Sequence, residues 1–288
     1  MSDNGEVSFE LYRYTPSLVA AIIFIVLFVL ATFYHLYQVV RTRSWYFTIF
    51  VVGGAFQIIG YICRALAHDN KDNIPIYSVG TIMILLAPPL YAASIYMTLG
   101  RLIVHLDAES LSLVPVRWLT AIFVTGDVIA FLMQAAGGGI MASGTMSAMT
   151  TGEHITIGGL AVQLVFFTVF IVASSIFHYR IRHNLTEKSV SRSRTTTWEV
   201  AMVGLYVASV LILVRSVFRL VEYAQGNSGY LISHEVFMYV FDSMLMLFAM
   251  VAMSILHPSK VLSRSSRRQR SSKESRSEHT EMVSSTDV

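Results

Sequence analysis

Residues 16–40 read Pro16-Ser17-Leu18-Val19-Ala20-Ala21-Ile22-Ile23-Phe24-Ile25-Val26-Leu27-Phe28-Val29-Leu30-Ala31-Thr32-Phe33-Tyr34-His35-Leu36-Tyr37-Gln38-Val39-Val40, without one Asp, Glu, Lys or Arg, and Arg41-Thr42-Arg43 follows. A helix rises about 1.5 Å per residue, so about 20 apolar residues cross a hydrocarbon core of roughly 30 Å. This stretch is long enough to span a bilayer and too long for a barrel strand. In lipid its backbone groups must be satisfied within the segment, which makes it a helix. An acidic segment precedes it (Asp3, Glu6, Glu10) and no small-residue cleavage site follows, so it reads as a retained span and not as a signal peptide.

Outward from this span, six further windows qualify: Trp45 to Ala67, Ile76 to Val104, Val116 to Gly138, Ile155 to Tyr179, Trp198 to Glu222 and Glu235 to Leu256. The expected fold class is an all-α polytopic membrane protein with seven transmembrane helices. Composition agrees, because 54% of the 288 residues are hydrophobic and 14% are charged, against about 25% charged in a soluble domain. An ordinary cytosolic enzyme is excluded. Cys63 is the sole cysteine, which excludes intramolecular disulfides and multi-cysteine metal sites. Three parts are expected: an extracellular N-terminal segment 1–15, a seven-helix transmembrane domain 16–258, and a disordered, basic, Ser-rich cytoplasmic tail 259–288.

Orientation follows from Lys and Arg in the connections. One set holds Arg41, Arg43, Arg101, Arg117, Arg180, Arg182, Lys188, Arg192 and Arg194, and the tail adds Lys260, Arg264, Arg267, Arg268, Arg270, Lys273 and Arg276. The opposite set holds only Arg13 and Lys71. The N-terminus is therefore expected outside and the C-terminus in the cytoplasm, in a multi-pass protein of the plasma membrane. The tail reads either as a topological determinant or as a contact for anionic cytoplasmic lipids that serine phosphorylation would weaken. The sequon Asn184-Leu185-Thr186 falls on the cytoplasmic side and is read as chance.

Ionisable groups inside spans cost on the order of 3 kcal/mol each on insertion scales and usually face a cavity or one another. Arg215, Arg219 and Glu222 recur at spacings of four and three on one face of the sixth span, and Glu235 and Asp242 share a face of the seventh. The antiparallel depths predict Arg215 with Asp242, and Arg219 shared between Glu222 and Glu235. Adding Arg64 and Asp127 leaves the in-span carboxylates one ahead of the cations. Gln57 and Arg64 are one heptad apart, as are Asp127 and Gln134, and Gln163 lies two turns into the fifth span. Gln57, Arg64, Asp127, Gln134, Gln163, Arg215, Arg219, Glu222, Glu235 and Asp242 are the candidate substrate-binding residues. They read either as the lining of a polar cavity in the outer half of the bundle or as an ion-pair network that fixes helix packing.

Pro88-Pro89 in the third span predicts a kink or an unwound turn. Gly137-Gly138-Gly139 with Met141, Met146 and Met149 predicts a mobile outer loop, within a long connection from Gly139 to His154. His35, His154, His178, His183, His234 and His257 occur without ligand spacing, so neither a metal nor another cofactor is expected. No Gly-x-x-x-x-Gly-Lys-Ser/Thr run occurs, so ATP is not the expected energy source. Expected partners are membrane lipids or amphiphilic small molecules and no nucleic acid, and the oligomeric state is left open.

Several stretches resemble the fungal RTA-like, or lipid-translocating exporter, family. They include Gly60-Tyr61-Ile62-Cys63-Arg64, Leu85-Leu86-Ala87-Pro88-Pro89-Leu90-Tyr91-Ala92-Ala93-Ser94-Ile95-Tyr96, Gly126-Asp127-Val128 and Gln134-Ala135-Ala136-Gly137-Gly138-Gly139. Arg215-Ser216-Val217-Phe218-Arg219-Leu220-Val221-Glu222-Tyr223, His234-Glu235, Phe241-Asp242 and His257-Pro258 match as well. The resemblance runs from about Tyr14 to Pro258. It implies a seven-span fungal protein that moves sphingoid long-chain bases or gives resistance to toxic amphiphiles, with porphyrin handling in one branch. It also implies an acidic residue in many members where Gln57 stands, a departure that bears on preference for a cationic substrate.

A membrane translocator of amphipathic lipids is the leading reading, and no enzyme activity is expected. The alternative is a seven-helix lipid receptor or sensor that signals through its cytoplasmic loops. The third span ends in Leu99-Gly100-Arg101 without an acidic-Arg-Tyr triplet, and the last span lacks Asn-Pro, which weighs against the usual receptor class. A retinal pigment is excluded because Lys71, Lys188, Lys260 and Lys273 all lie outside the spans. Nothing places a nucleophile beside a base, so Asp127, Ser17 and His35 do not make an intramembrane hydrolase.

Overall fold

The computed structural model describes residues 16–69, 73–141, 146–183, 197–226 and 229–256. Seven helices among them are long and apolar enough to cross a membrane, and no strand occurs among the described residues. They are α1 (Leu18–Thr42), α2 (Thr48–Leu66), α3 (Ile74–His105), α4 (Val116–Met141), α5 (Met146–His183), α6 (Thr197–Ala224) and α7 (Glu235–Ile255). The chain is an all-α, multi-pass membrane protein. The N-terminal segment 1–15, the tail 259–288 and residues 184–196 of the connection between α5 and α6 lie outside the described residues.

Local chemistry sets the helix ends. Ser17 caps α1 by accepting from the Ala20 amide, and Arg43 closes that helix in the left-handed region at φ 53°. Asn73 caps α3, its Oδ1 3.2 Å from the Ile76 amide, and Pro75 occupies the first turn, where a missing N–H costs nothing.

Each helix packs on its neighbour in sequence, α7 returns to α1, and α3 also touches α6, which makes α3 the most buried of the seven. Tyr91, Ile95, Tyr96, Leu99 and Ile103 of α3 form the middle of the core. The ring is tied at both ends. At one end the His68 ring donates to the Pro16 carbonyl at 2.8 Å. At the other, Gln38 donates to the Ser254 carbonyl at 2.9 Å and His35 Nε2 lies 3.0 Å from the Met250 carbonyl.

Two local expectations change. Of the kink or unwound turn expected at Pro88-Pro89, the unwound turn is absent, because α3 runs through both prolines as one helix. Both prolines are buried among neighbouring helices, which hold the turn together despite the lost hydrogen bonds. The irregular backbone lies instead in α7, where Tyr239–Met244 opens into π turns and brings Tyr239, Asp242 and Ser243 inward together.

Where it is described, the expected mobile loop is also helical, because α4 continues through Gly137-Gly138-Gly139 to Met141 and α5 begins at Met146; residues 142–145 of it lie outside the described residues. Gly137, Gly152 and Gly159 let the α4 and α5 backbones touch. A Cβ on Gly152 would stand 2.5 Å from the Gly137 carbonyl oxygen, and one on Gly159 would stand 2.7 Å from that of Ala130. Gly138 and Gly139 face open space. Gly152→Ala is therefore expected to cost about 1–3 kcal/mol through backbone displacement. Gly138→Ala and Gly139→Ala should gain up to about 1 kcal/mol each from helix propensity. Thermal unfolding in detergent separates the two outcomes.

Candidate functional site

The polar side chains inside the spans join in two sets. The first lies where α2, α6 and α7 meet the start of α1. Spacings of four and three turn Arg215, Arg219 and Glu222 to the same side of α6, and all three are buried. Arg215 Nε donates to Asp242 Oδ1 at 2.6 Å, with Arg215 and Asp242 each 1% exposed. Arg219 Nη1 donates to Glu222 Oε2 at 2.7 Å, and its guanidinium lies 5.3 Å from the centre of the Tyr223 ring.

Glu235 departs from the expected sharing with Arg219. Its Oε1 accepts from Arg64 Nη2 at 3.0 Å, and its two oxygens accept the Ser17 backbone N–H at 2.9 and 3.0 Å. Glu235 opens α7 beside the capped start of α1, where orphan N–H groups and the helix dipole favour an anion. The end of α2 delivers Arg64 to the same level, with its guanidinium 5.5 Å from the Tyr239 ring centre. Tyr61 hydrogen-bonds Ser243 and stacks with Phe28 and Phe24 of α1 and with Tyr239. One carboxylate thus ties three helices together. Glu235→Gln is expected to keep an acceptor for Ser17 but to remove the ion pair with Arg64, lowering stability by about 1.5–3 kcal/mol. A thermal melt against wild type checks this.

The second set lies along α3, α4 and α5. Asp127 is 3% exposed, its Oδ2 accepts from the Tyr96 hydroxyl at 3.0 Å, and its Oδ1 has no hydrogen-bond partner. Among the described residues no Lys, Arg or His stands within ion-pair distance of it, so the surplus carboxylate of the charge balance falls on Asp127. Phe170 and Phe123 flank Tyr96 with ring centres 4.5 and 5.4 Å away. Two turns farther along α4, Gln134 Nε2 donates to Gln163 Oε1 of α5 at 3.0 Å. Gln57 on α2 is 1% exposed, and neither amide atom has a hydrogen-bond partner.

Tyr96, Tyr61, Ser243 and the Ser17 amide were not singled out from sequence as site groups. Tyrosine is ordinary in spans and a backbone N–H carries no sequence signal; only the charge surplus hinted that some carboxylate needed a neutral partner. Chemically the two sets differ. The carboxylates of the first are each matched by an arginine, whereas Asp127 can still take a cation. No group of three or more His, Cys, Asp or Glu side chains suited to a metal ion occurs among the described residues.

Comparison with known proteins agrees with this architecture. The profile of the family described as RTA1 like protein matches residues 50–265, which include every candidate polar residue named above. Protein RTM1 of Saccharomyces cerevisiae is 37% identical, over 87% of this chain and 92% of its own length. Protoporphyrin uptake protein 1 of the same species is 35% identical, over 88% and 93%. The sphingoid long-chain base transporter RSB1, also of that species, is 27% identical, over 84% and 72%. No solved structure matches the chain. With seven membrane-crossing helices and a profile match over most of its length, the chain belongs to the RTA1-like family.

Proposed function

We propose that this protein translocates cationic amphipathic lipids, of the sphingoid long-chain-base kind, across the plasma membrane, with its N-terminus outside and its tail in the cytoplasm. The observation that carries the reading is Asp127, a buried carboxylate that no cation among the described residues compensates while Asp242, Glu222 and Glu235 each hold an arginine. A buried carboxylate without a counter-charge is unfavourable, and a primary ammonium is the group that relieves it. Asp127 lies about 16 Å along α4 from Val116 and about 21 Å from Met141 at 1.5 Å per residue, close to mid-bilayer. Mid-membrane placement of a binding site is what alternating access requires.

The α3–α4–α5 column divides the work. Asp127 holds the ammonium, Tyr96 fixes one carboxylate oxygen so that the other faces the amine, and the Phe123 and Phe170 rings supply an apolar, cation-tolerant flank. Gln134 and Gln163 stand about 10 Å away along α4, farther than the span of an amino-diol headgroup, so they serve as a separate polar station. The ion pairs of α6 and α7 hold the frame against which this column works. A porphyrin bearing two carboxylates gains nothing from Asp127, which favours an amine.

The test is purified protein in liposomes with a labelled long-chain base. Accelerated transbilayer movement over protein-free liposomes is expected, with an N-acylated, uncharged analogue moving no faster than without protein. No acceleration of the amine overturns the reading.

A further inference from the structure

We propose that Asp127 is a proton–ammonium exchange site, so that each cationic lipid carried one way returns a proton the other way. The inference rests on the transport reading above and supplies the driving force that the absent nucleotide motif leaves open. The step balances: a carboxylic acid at Asp127 plus an alkylammonium gives a carboxylate–ammonium pair plus one proton, which passes to water. No redox change or covalent bond to the lipid is involved.

The geometry supports exchange because, among the described residues, no other charged group pairs with Asp127. α4 packs between α3 and α5. From α3 the group facing it is the neutral Tyr96 hydroxyl on Oδ2, which leaves Oδ1 unpartnered and able to hold either a proton or an ammonium hydrogen. The basic groups of α3, Arg101 and His105, lie toward its C-terminal end, and Arg101 sits over the Tyr46 ring. On α5, Phe166 lies against Gly126, while Phe167 and Phe170 pack on Tyr96; the buried Gln163 is an amide held by Gln134. The charged and imidazole groups of α5 are Glu153 and His154 toward one end and His178, Arg180, Arg182 and His183 at the other. Within α4 the nearest charge is Arg117, about 15 Å away along the helix.

With no cation among the described residues paired to it, the ionised carboxylate is tolerated only when the ligand brings its own positive charge. Proton and amine therefore occupy the site in alternation, and binding of one expels the other. Arg215, Arg219 and Arg64 cannot replace the proton, since each is engaged with its own carboxylate.

The experiment uses the full-length protein in weakly buffered detergent or nanodiscs with a pH dye. Two probes are compared: a long-chain primary amine and a long-chain trimethylammonium amphiphile, the latter having no ammonium proton to release. The expected result is about one proton released per bound probe for both, and affinity for the quaternary probe that rises tenfold per pH unit while Asp127 is protonated. Asp127→Asn should release none, and since an asparagine amide oxygen can still accept from Tyr96, its melting temperature reports the fold. Binding and transport by wild type without proton release, or with pH-independent quaternary affinity, overturns the exchange and leaves the transport reading standing. Proton release that persists in Asp127→Asn also overturns it, and absence of both binding and transport removes the transport reading with it.

Discussion

Arg215→Met is expected to cost about 3–5 kcal/mol of stability, a fall of roughly 6–20 °C in melting temperature for a chain of this size. Arg215 and Asp242 are each 1% exposed and meet at 2.6 Å, so removing the guanidinium leaves Asp242 as a buried charge inside the π turns of α7. Arg219 lies one turn away but is already bonded to Glu222, and it compensates Asp242 only in part. The double variant Arg215→Met/Asp242→Leu removes both charges together and should recover most of the loss, because replacing a buried ion pair by apolar groups of similar volume is often close to neutral. A double-mutant cycle on thermal melts, with size-exclusion profiles to follow dispersity, measures the coupling. A double variant as unstable as Arg215→Met would show that the pair does more than neutralise charge. Asp242→Asn and Arg215→Gln, in protein that reaches the membrane, are expected to lose transport, because the frame beside the α3–α4–α5 column is then no longer held.

Asp127→Asn should have the opposite profile, with transport lost and the fold kept. Removing one partner of a buried charge pair typically costs 2–5 kcal/mol, so movement of a cationic long-chain base should slow at least about thirtyfold. The melting temperature should stay within a few degrees of wild type, since the introduced amide still accepts the Tyr96 hydroxyl and, like the carboxylic acid of the ligand-free site, carries no charge. Tyr96→Phe is the companion, because it leaves the carboxylate but frees both its oxygens, and a smaller loss of about tenfold is expected for one hydrogen bond to a charged group. Transport rates in liposomes with melts on the same preparations check both. Wild-type rates in Asp127→Asn would remove Asp127 from the site.

These contrasting outcomes reflect two kinds of information in the chain. The spans are legible residue by residue, because the energy of placing an apolar run in lipid is local and additive; the stretch from Pro16 to Val40 announces α1 by itself. The Arg215–Asp242 pair is almost as legible, since two adjacent antiparallel helices with charges at equal depth leave few alternatives. Glu235 is not. Its partners, Arg64 and the Ser17 amide, come from α2 and α1, and depth along α6 and α7 says nothing about which other helix ends stand beside them.

The same limit explains the other differences. Three consecutive glycines read as a loop in one dimension, but the contact of Gly137 with Gly152 makes them a helix, because small residues reward backbone contact that only a facing helix can offer. The prolines of α3 read as a break and are held in a continuous helix by their neighbours, while the π turns of α7 carry no proline signal. Composition, hydrophobic length and the count of in-span charges thus dictate an all-α membrane protein with one carboxylate to spare. That the spare carboxylate is Asp127, set beside Tyr96 and paired with no described arginine, was settled by how the helices are ordered and rotated against each other, since electrostatic pairing depends on distances between segments that no single segment encodes.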